Sequence, residues 1–379
     1  MRSEWNKTAL SEIASFTTGK LNSNASVENG KYPFFTCSPE TLRINDYAFD
    51  QAAILLAGNN AEGNFNIKFY SGKFNAYQRT YVFSAKNNCN LKYLYYSLRL
   101  CLDNFKRISQ GTATKFLTAK ILNSFEIMLP SIDTQKRIAA ILSAIDDKIE
   151  LNTAINENLE QQAQAIFKSW FVDFEPFGGY IPSNWTQTTL GNVCVCELGG
   201  TPSRAKSEYW NGSIPWINSG EINNFRIIKP SETITDLGLN KSATKLLPSK
   251  TTVIAITGAT LGQVSLLEIA SCSNQSVVGV VPNERIPYEF IYPYIKAHIQ
   301  ELISHQTGGA QQHINKQNVE SLPIIVPTED SFKKYVDFVG GLYFAIANNC
   351  FENERLAELR DSLLPKLMNG EIDVSRVQL

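Results

Sequence analysis

The strongest constraint on this chain is that it is written twice. Trp5-Asn-Lys-Thr-Ala-Leu returns 180 residues later as Trp185-Thr-Gln-Thr-Thr-Leu, and Ala53-Ile-Leu-Leu-Ala-Gly58 returns 200 residues later as Val253-Ile-Ala-Ile-Thr-Gly258. From Gln78, matched by Gln275, the offset settles at 197. It carries Gly111-Thr-Ala-Thr-Lys-Phe-Leu onto Gly308-Gly-Ala-Gln-Gln-His-Ile, and Asn156-Glu-Asn-Leu-Glu onto Asn353-Glu-Arg-Leu-Ala. Single matches of this grade arise by chance, but an offset that holds over so long a stretch does not. Whatever fold one copy takes, the other must share.

Each copy has two parts. Residues 1–130 and 181–327 read as short β-branched and aromatic runs broken by Gly, Asn, Ser and Pro. Examples are Ala52–Ala57, Thr80–Ser84, Thr252–Thr257 and Ser276–Val281, with helical stretches near 91–107 and 288–303. Residues 131–180 and 328–379 are polar and keep a seven-residue apolar pattern. Ile138, Ile145, Asn152, Leu159 and Ile166 take one seam position, and Ile141, Lys148, Ile155, Gln162 and Ser169 the other, with Leu142 and Ile149 widening the stripe. In copy two the seams are Tyr335, Leu342, Asn349, Leu356 and Leu363, then Phe338, Ala345, Glu352, Leu359 and Lys366. The expected fold is two α/β (α+β) modules in tandem, separated by two long antiparallel coiled-coil helices with pseudo-twofold symmetry. Asn152 and Asn349 fall at the same point of both seams, where a polar residue lowers stability but penalises wrong registers.

The overall charge is −1, which excludes a polybasic or polyacidic tail protein. Its distribution follows the same boundaries. Residues 1–130 carry 15 Lys+Arg against 9 Asp+Glu, net +6, whereas 131–180 carry 4 against 8, net −4. Residues 181–327 balance at 10 and 10, and 328–379 carry 6 against 9, net −3. The basic first module fits an electrostatic phosphate footprint. Seven Cys without a CxxC pair fit reduced thiols in a cytosolic protein. The polar opening Met1-Arg-Ser-Glu-Trp gives no expectation of a signal peptide, and no apolar run is long enough for a membrane span. A cytoplasmic protein is expected.

The motifs of several chemistries are missing. Gly258-Ala-Thr-Leu-Gly262 lacks the lysine of a phosphate-binding loop, and neither GxGxxG nor an Asn-Pro-Pro-Tyr-like tetrapeptide occurs. His298, His305 and His313 lack metal-ligand spacing, and Asp146-Asp147 and Asp173-x-Glu175 lie on or beside acidic helices where a solvated face is the simpler reading. No catalytic residue and no metal ligand is expected. A duplicated, long-armed chain of this kind is more economically a binding device.

Certain residues then bring in a family. Leu198-Gly-Gly-Thr-Pro-Ser203, Glu208-Tyr-Trp-Asn-Gly212 and Ile214-Pro-Trp-Ile-Asn-Ser-Gly-Glu221 resemble the target-recognition domain of type I restriction–modification specificity subunits. Gly308-Gly-Ala-Gln-Gln-His-Ile-Asn-Lys316, leading to Leu322-Pro-Ile-Ile-Val-Pro327, resembles the close of that domain, and Lys136-Arg-Ile-Ala-Ala-Ile-Leu142 the start of its spacer helix. Phe16-Thr-Thr-Gly-Lys20 lacks the Gly-Gly-Thr-Pro form. The resemblance implies target-recognition domains at 1–130 and 181–327, each reading one half of a split double-stranded DNA site, and spacer helices at 131–180 and 328–379. It implies two methyltransferase subunits and restriction/translocase subunits as partners. S-adenosylmethionine and ATP would belong to those partners, with no cofactor and no catalysis in this chain.

Base reading needs paired donors and acceptors on loops: Asn or Gln for adenine, Arg or Lys for guanine and phosphate. The candidates in the first module are Asn59, Asn60, Lys73, Tyr77, Gln78, Arg79, Thr112, Thr114 and Lys115, with Asn64 nearby. In the second they are Thr201, Ser203, Arg204, Lys206, Asn218, Ser219, Thr260, Asn274, Gln275, Gln311, Gln312, His313 and Lys316, with Glu221 nearby. Gln78 and Gln275, and Thr201 and Ser203, are equally read as residues that hold the fold. Two other classes compete. One is a single-chain DNA methyltransferase or nuclease with diverged motifs, which would transfer methyl groups unaided. The other is a coiled-coil scaffold, which would show no salt-dependent DNA binding.

Overall fold

Ala53–Ala57 and Val253–Ile256 are uninterrupted apolar runs, which suits a strand buried on both faces rather than an amphipathic one. The structure, a computed structural model describing residues 5–304 and 313–377, places each run at the centre of a sheet. The chain divides into two compact units, Met1–Ile149 with Arg355–Leu379, and Glu150–Glu354. Each unit therefore takes in the sheets of one repeat and a segment of both long helices.

In the first unit six strands lie in the order Ala14–Thr18, Thr80–Ala85, Phe49–Ala57, Ile67–Ala76, Tyr32–Phe35 and Thr41–Ile44. All neighbours are antiparallel except Tyr32–Phe35 against Ile67–Ala76. The central strand alternates as a two-sided strand must. Ile54 and Leu56 enter the core containing Tyr93, Leu94, Ile138, Leu142, Leu364 and Leu367, and Ala53 and Leu55 face a smaller cluster with Phe35 and Phe74. One face thus packs on the helix Leu91–Leu100 and on both long helices.

The second unit repeats the plan with a smaller antiparallel sheet: Val195–Leu198, Val277–Val281, Thr252–Ala255 and Val264–Leu266. A further sheet of Glu232–Ile234, Trp210–Ile217 and Cys272–Ser273 comes largely from the segment by which this copy is longer. Ile254, Val278 and Val280 join Phe290, Ile295, Ala163, Phe167, Tyr335 and Val339, and Val253, Ala255 and Val277 pack on the other side. In both units a pair of short strands closes the module, Asn6–Ala9 on Glu126–Leu129 and Thr186–Thr189 on Pro323–Val326. A short capped helix precedes each closing strand. Thr118 accepts from the Ile121 amide, and 197 residues later Asn315 accepts from the Asn318 amide.

The long helices run Ile132–Phe171 and Glu329–Met368, again 197 residues apart, and 40 residues each correspond to about 60 Å of helix. In the second unit Asn152 meets Asn353 whereas Asn156 meets Asn349, so the helices are antiparallel there. The first seam is buried as expected at Ile138, Ile145, Asn152 and Tyr335. The second is displaced by one residue. Lys148, Ile155, Gln162, Phe338, Leu359 and Lys366 are exposed, and the buried positions are Leu142, Asn156, Ala163, Val339, Ile346 and Leu367. Ile141 still packs at the edge of the first unit's core, but Ile155 is an apolar decoy: a stripe stepping four then three residues from Ile138 also passes through apolar positions, and packing chooses it.

Candidate nucleic-acid interface

The strand-end loops carry the candidate residues because the central strand stops at Ala57 and its neighbour starts at Thr80. The Gly58 amide donates to the Arg79 carbonyl at 2.8 Å, and its own carbonyl accepts from Leu117 at 2.9 Å. Three sequence-distant loops are thereby tied together. Asn59, Gln78 and Arg79 line one recess of about 370 Å3 with Thr18, Tyr81 and Phe116. Asn60 pairs with Lys115 across a two-residue ladder, and Tyr77 bridges to Leu21. The Asn59 Oδ1 is buried without a hydrogen bond among the described residues. Thr112 and Thr114 are exposed on the loop that returns to Lys115. Lys73 lies apart from the recess, opposite Asp50, with its ammonium 4.6 Å over the Tyr47 ring and its pKa raised by the hydrogen bond it donates to that Tyr.

The second module ties the same loops. Ile256 donates to Ser276 at 2.9 Å, Thr257 bridges to His313, and Asn274 donates to Ile217 at 3.0 Å. Thr260 folds back onto the Thr257 carbonyl and Asn274 accepts from Ser276, so both shape their own turns. Asn218 caps the short helix Ser219–Asn223 with Glu221 in a reciprocal box, which commits its amide locally; Ser219 is half-buried. Thr201 and Gln275 join at 2.5 Å. Their counterparts in the first module are Asn22 and Gln78, joined at 2.7 Å. The sequence reading missed Asn22 and Phe116. Phe116 sits 197 residues before His313, so the repeat itself would have found it, whereas Thr201 falls 180 residues after Leu21, one position short of Asn22.

Arg204 is held more firmly than a free phosphate contact. Its Nη2 donates to Glu232 Oε2 at 2.7 Å, its Nη1 to Oε1, and the guanidinium lies 3.6 Å from the Trp210 ring centroid. The hydrogen bonds raise the Arg204 pKa and lower that of Glu232. Ser203 accepts from Trp210 at 3.2 Å, and Trp216, which is buried, donates to Gly200 at 3.1 Å. Lys206 stands 3.0 Å from the Tyr209 hydroxyl, which raises its pKa. Lys316 pairs with Glu320 at 3.4 Å on the short closing helix. Gln311 and Gln312 lie outside the described residues.

One carboxylate of the first long helix joins a charged group of the second module that no motif announced. Arg226, Glu160, Glu268, Lys296 and Lys250 meet in the second unit, Arg226 fully buried and 2.8 Å from Glu160. These residues are distant in sequence, and only the packed sheet brings them together. Among the described residues no group of His, Cys, Asp and Glu is arranged to hold a metal ion. Burial pushes the thiols of Cys89, Cys194 and Cys196 up to about 12, which keeps them protonated. The geometry defines a duplicated recognition module: amides, hydroxyls and cations gathered on strand-end loops of a rigid sheet.

The comparisons agree with that class. The family model for the type I restriction modification DNA specificity domain matches twice, over residues 2–161 and 182–350. The chain belongs to the type I restriction–modification DNA specificity family. It is 27% identical over 344 residues to the type I restriction enzyme HindI specificity subunit of Haemophilus influenzae, covering 71% of this chain and 74% of that one. It is 28% identical over 304 residues to the MjaIX specificity subunit of Methanocaldococcus jannaschii, covering 76% and 70%. A crystal structure of the type I restriction–modification system S subunit from M. genitalium superposes with a TM-score of 0.63 over 96% of both chains at 19% identity, which shows a shared fold. No helix among the described residues is long and apolar enough to cross a membrane.

Proposed function

We propose that this chain is the non-catalytic sequence-reading subunit of a type I restriction–modification complex. The modules 1–130 and 181–327 each read one half of a bipartite double-stranded DNA site, and the helices dock two methyltransferase subunits. Restriction/translocase subunits complete the assembly, and S-adenosylmethionine and ATP are bound by partners, in the cytoplasm. One observation carries the reading. The same three loops are tied at the same strand ends in both units, with matched frames but different side chains, exposed or half-buried: Asn59, Arg79 and Phe116 in one, Thr257, Ser276 and His313 in the other. Equal frames with unequal side chains suit two readers of different base sequences. Replacing 181–327 by the corresponding module of a relative should change one half of the methylated sequence, read by methylome sequencing. A change in both halves refutes independent reading. Methyl transfer by the chain alone would instead favour a diverged methyltransferase.

A further inference from the structure

The buried charge cluster of the second unit calls for a function. Arg226 follows the short helix Ser219–Asn223 in the second module, where its neighbour Ile227 is stitched to the sheet edge through Leu266 and Glu268. Its side chain is 0% exposed and lies against aromatic rings, 4.3 Å from Phe225 and 4.6 Å from Tyr292 by ring centroid. A charge removed from water in this way costs several kcal/mol unless it is paired with good geometry. The module's own carboxylate does not supply that geometry: Glu268 Oε1 lies 3.5 Å from Nε, and neither atom has a hydrogen bond among the described residues. The hydrogen-bonded carboxylate is Glu160 of the first long helix, at 2.8 Å from Nη2 and 7% exposed. Lys296, on the helix Tyr288–Ser304, holds the other Glu160 oxygen at 3.1 Å. Within the module Arg226 Nη1 donates to the Phe225 carbonyl and the Tyr292 hydroxyl, each at 2.9 Å. Among the described residues, however, the hydrogen-bonded carboxylate that balances its charge comes from Glu160, which favours one pose of the module on that helix. Burial alone pulls the guanidinium pKa down, but Tyr292 and Glu160 more than reverse this and the net direction is up. In the first unit the pairs at the helices are wetter: Arg99 and Asp146 keep 25% and 27% of their side chains exposed.

We infer that Arg226 is a positioning residue, which through its bond to Glu160 fixes the pose of the second recognition module on the first long helix and so the place where the second half-site is read. The inference rests on the DNA-specificity reading above. It predicts a separation of effects, because Arg226 touches helix and sheet rather than the strand-end loops.

The test uses the full chain assembled with methyltransferase subunits. Methylation rates are measured on DNA with the native gap between half-sites and with the gap changed by one base pair. Arg226→Met leaves Glu160 with Lys296 and Glu268 with Lys250, so each buried carboxylate keeps a cation. A misplacement of 1 Å can cost about 100-fold in rate, so the preference for the native gap is expected to fall by about tenfold or more. The bases read in either half-site should stay the same. Glu160→Gln, which keeps an acceptor, should relax the gap preference in the same direction and serves if Arg226→Met does not fold. Arg226→Lys should keep more of the preference than Arg226→Met. Folded variants with wild-type gap preference overturn the positioning role alone, as does a changed base at the second half-site without gap relaxation. A wild-type complex indifferent to half-site sequence overturns the specificity reading itself.

Discussion

Asn152 donates its amide to Asn353 at 2.9 Å, and 197 residues further along the chain Asn349 donates its amide to Asn156, also at 2.9 Å. The same bond is made twice, with the roles of the two helices exchanged. Asn152 also donates to Glu352 at 2.7 Å, and Asn152 and Asn156 are nearly inaccessible. Buried polar groups are cheap when mutually satisfied and costly when one partner is removed. Asn156→Leu should therefore destabilise the protein by about 1–3 kcal/mol in urea denaturation. The double variant Asn156→Leu/Asn349→Leu should lose less than the sum of the single changes, with a coupling of about 0.5–3 kcal/mol. Additive losses would mean that the pair is not an energetic unit.

The displaced seam gives a second contrast. Leu142 is fully buried in the first unit's core, whereas Ile155, an apolar residue on the expected stripe, is 39% exposed. Leu142→Ala should cost about 2–5 kcal/mol, while Ile155→Ala should cost under about 1 kcal/mol. Equal losses would restore the stripe read from the sequence.

The duplicated plan, the central strands and both long helices were legible because each repeats a local pattern at a fixed offset. Ala52–Ala57 reads as a buried or half-buried strand, and the structure buries Ala53 to Ala57. The second seam was not fully legible, since Ile155 extends a plausible apolar stripe until a partner helix selects a face. At the loops, sequence pointed to Gln78, Arg79 and Asn59, which do share a recess, but could not show that Arg204 is held by Glu232. That pair spans two segments with no periodic relation. The Arg226 cluster was invisible for the same reason.

Gly19 and Gly199 occupy matched positions, and each approaches the segment that leads into Gln78 or Gln275. A Cβ on Gly19 would lie 1.8 Å from the Ala76 carbonyl oxygen, and one on Gly199 would lie 2.1 Å from that of Asn274. Backbone must move to admit either, an overpacking that costs about 1–3 kcal/mol. Gly199→Ala should weaken recognition of the second half-site and Gly19→Ala that of the first, in methylation assays on sites degenerate in one half at a time. Loss at both halves from one substitution would contradict a local effect.

Glu289 is buried at the start of the helix Tyr288–Ser304, and burial pushes its carboxyl above the usual range. A folded-state pKa raised above the unfolded one means that stability falls as pH rises from the ordinary carboxylate value through the folded one, and stays lower above it. Glu289→Gln removes this penalty. The variant should melt higher than wild type at pH 8, by about 2–4 °C for each kcal/mol recovered, and the difference should shrink below pH ~4. A gain that persists unchanged in acid would place its origin elsewhere.

Arg79 and Asn59 line the same recess, yet they should contribute differently to DNA binding. Arg79 is exposed and positively charged, suited to a phosphate or a guanine edge, whereas the half-buried Asn59 keeps an unsatisfied acceptor. A phosphate contact adds affinity on every sequence and contributes about one unit to the salt slope. A base-edge contact costs about 1–3 kcal/mol at one position and leaves that slope nearly unchanged. Arg79→Ala in the assembled complex should therefore lower affinity for cognate and unrelated DNA alike and flatten the salt dependence. Asn59→Ala should lower affinity only for cognate DNA and relax one position of the first half-site. Fluorescence anisotropy across a salt series on cognate and scrambled duplexes separates the two. If Arg79→Ala relaxes a single base position with the salt slope intact, the arginine reads sequence rather than backbone.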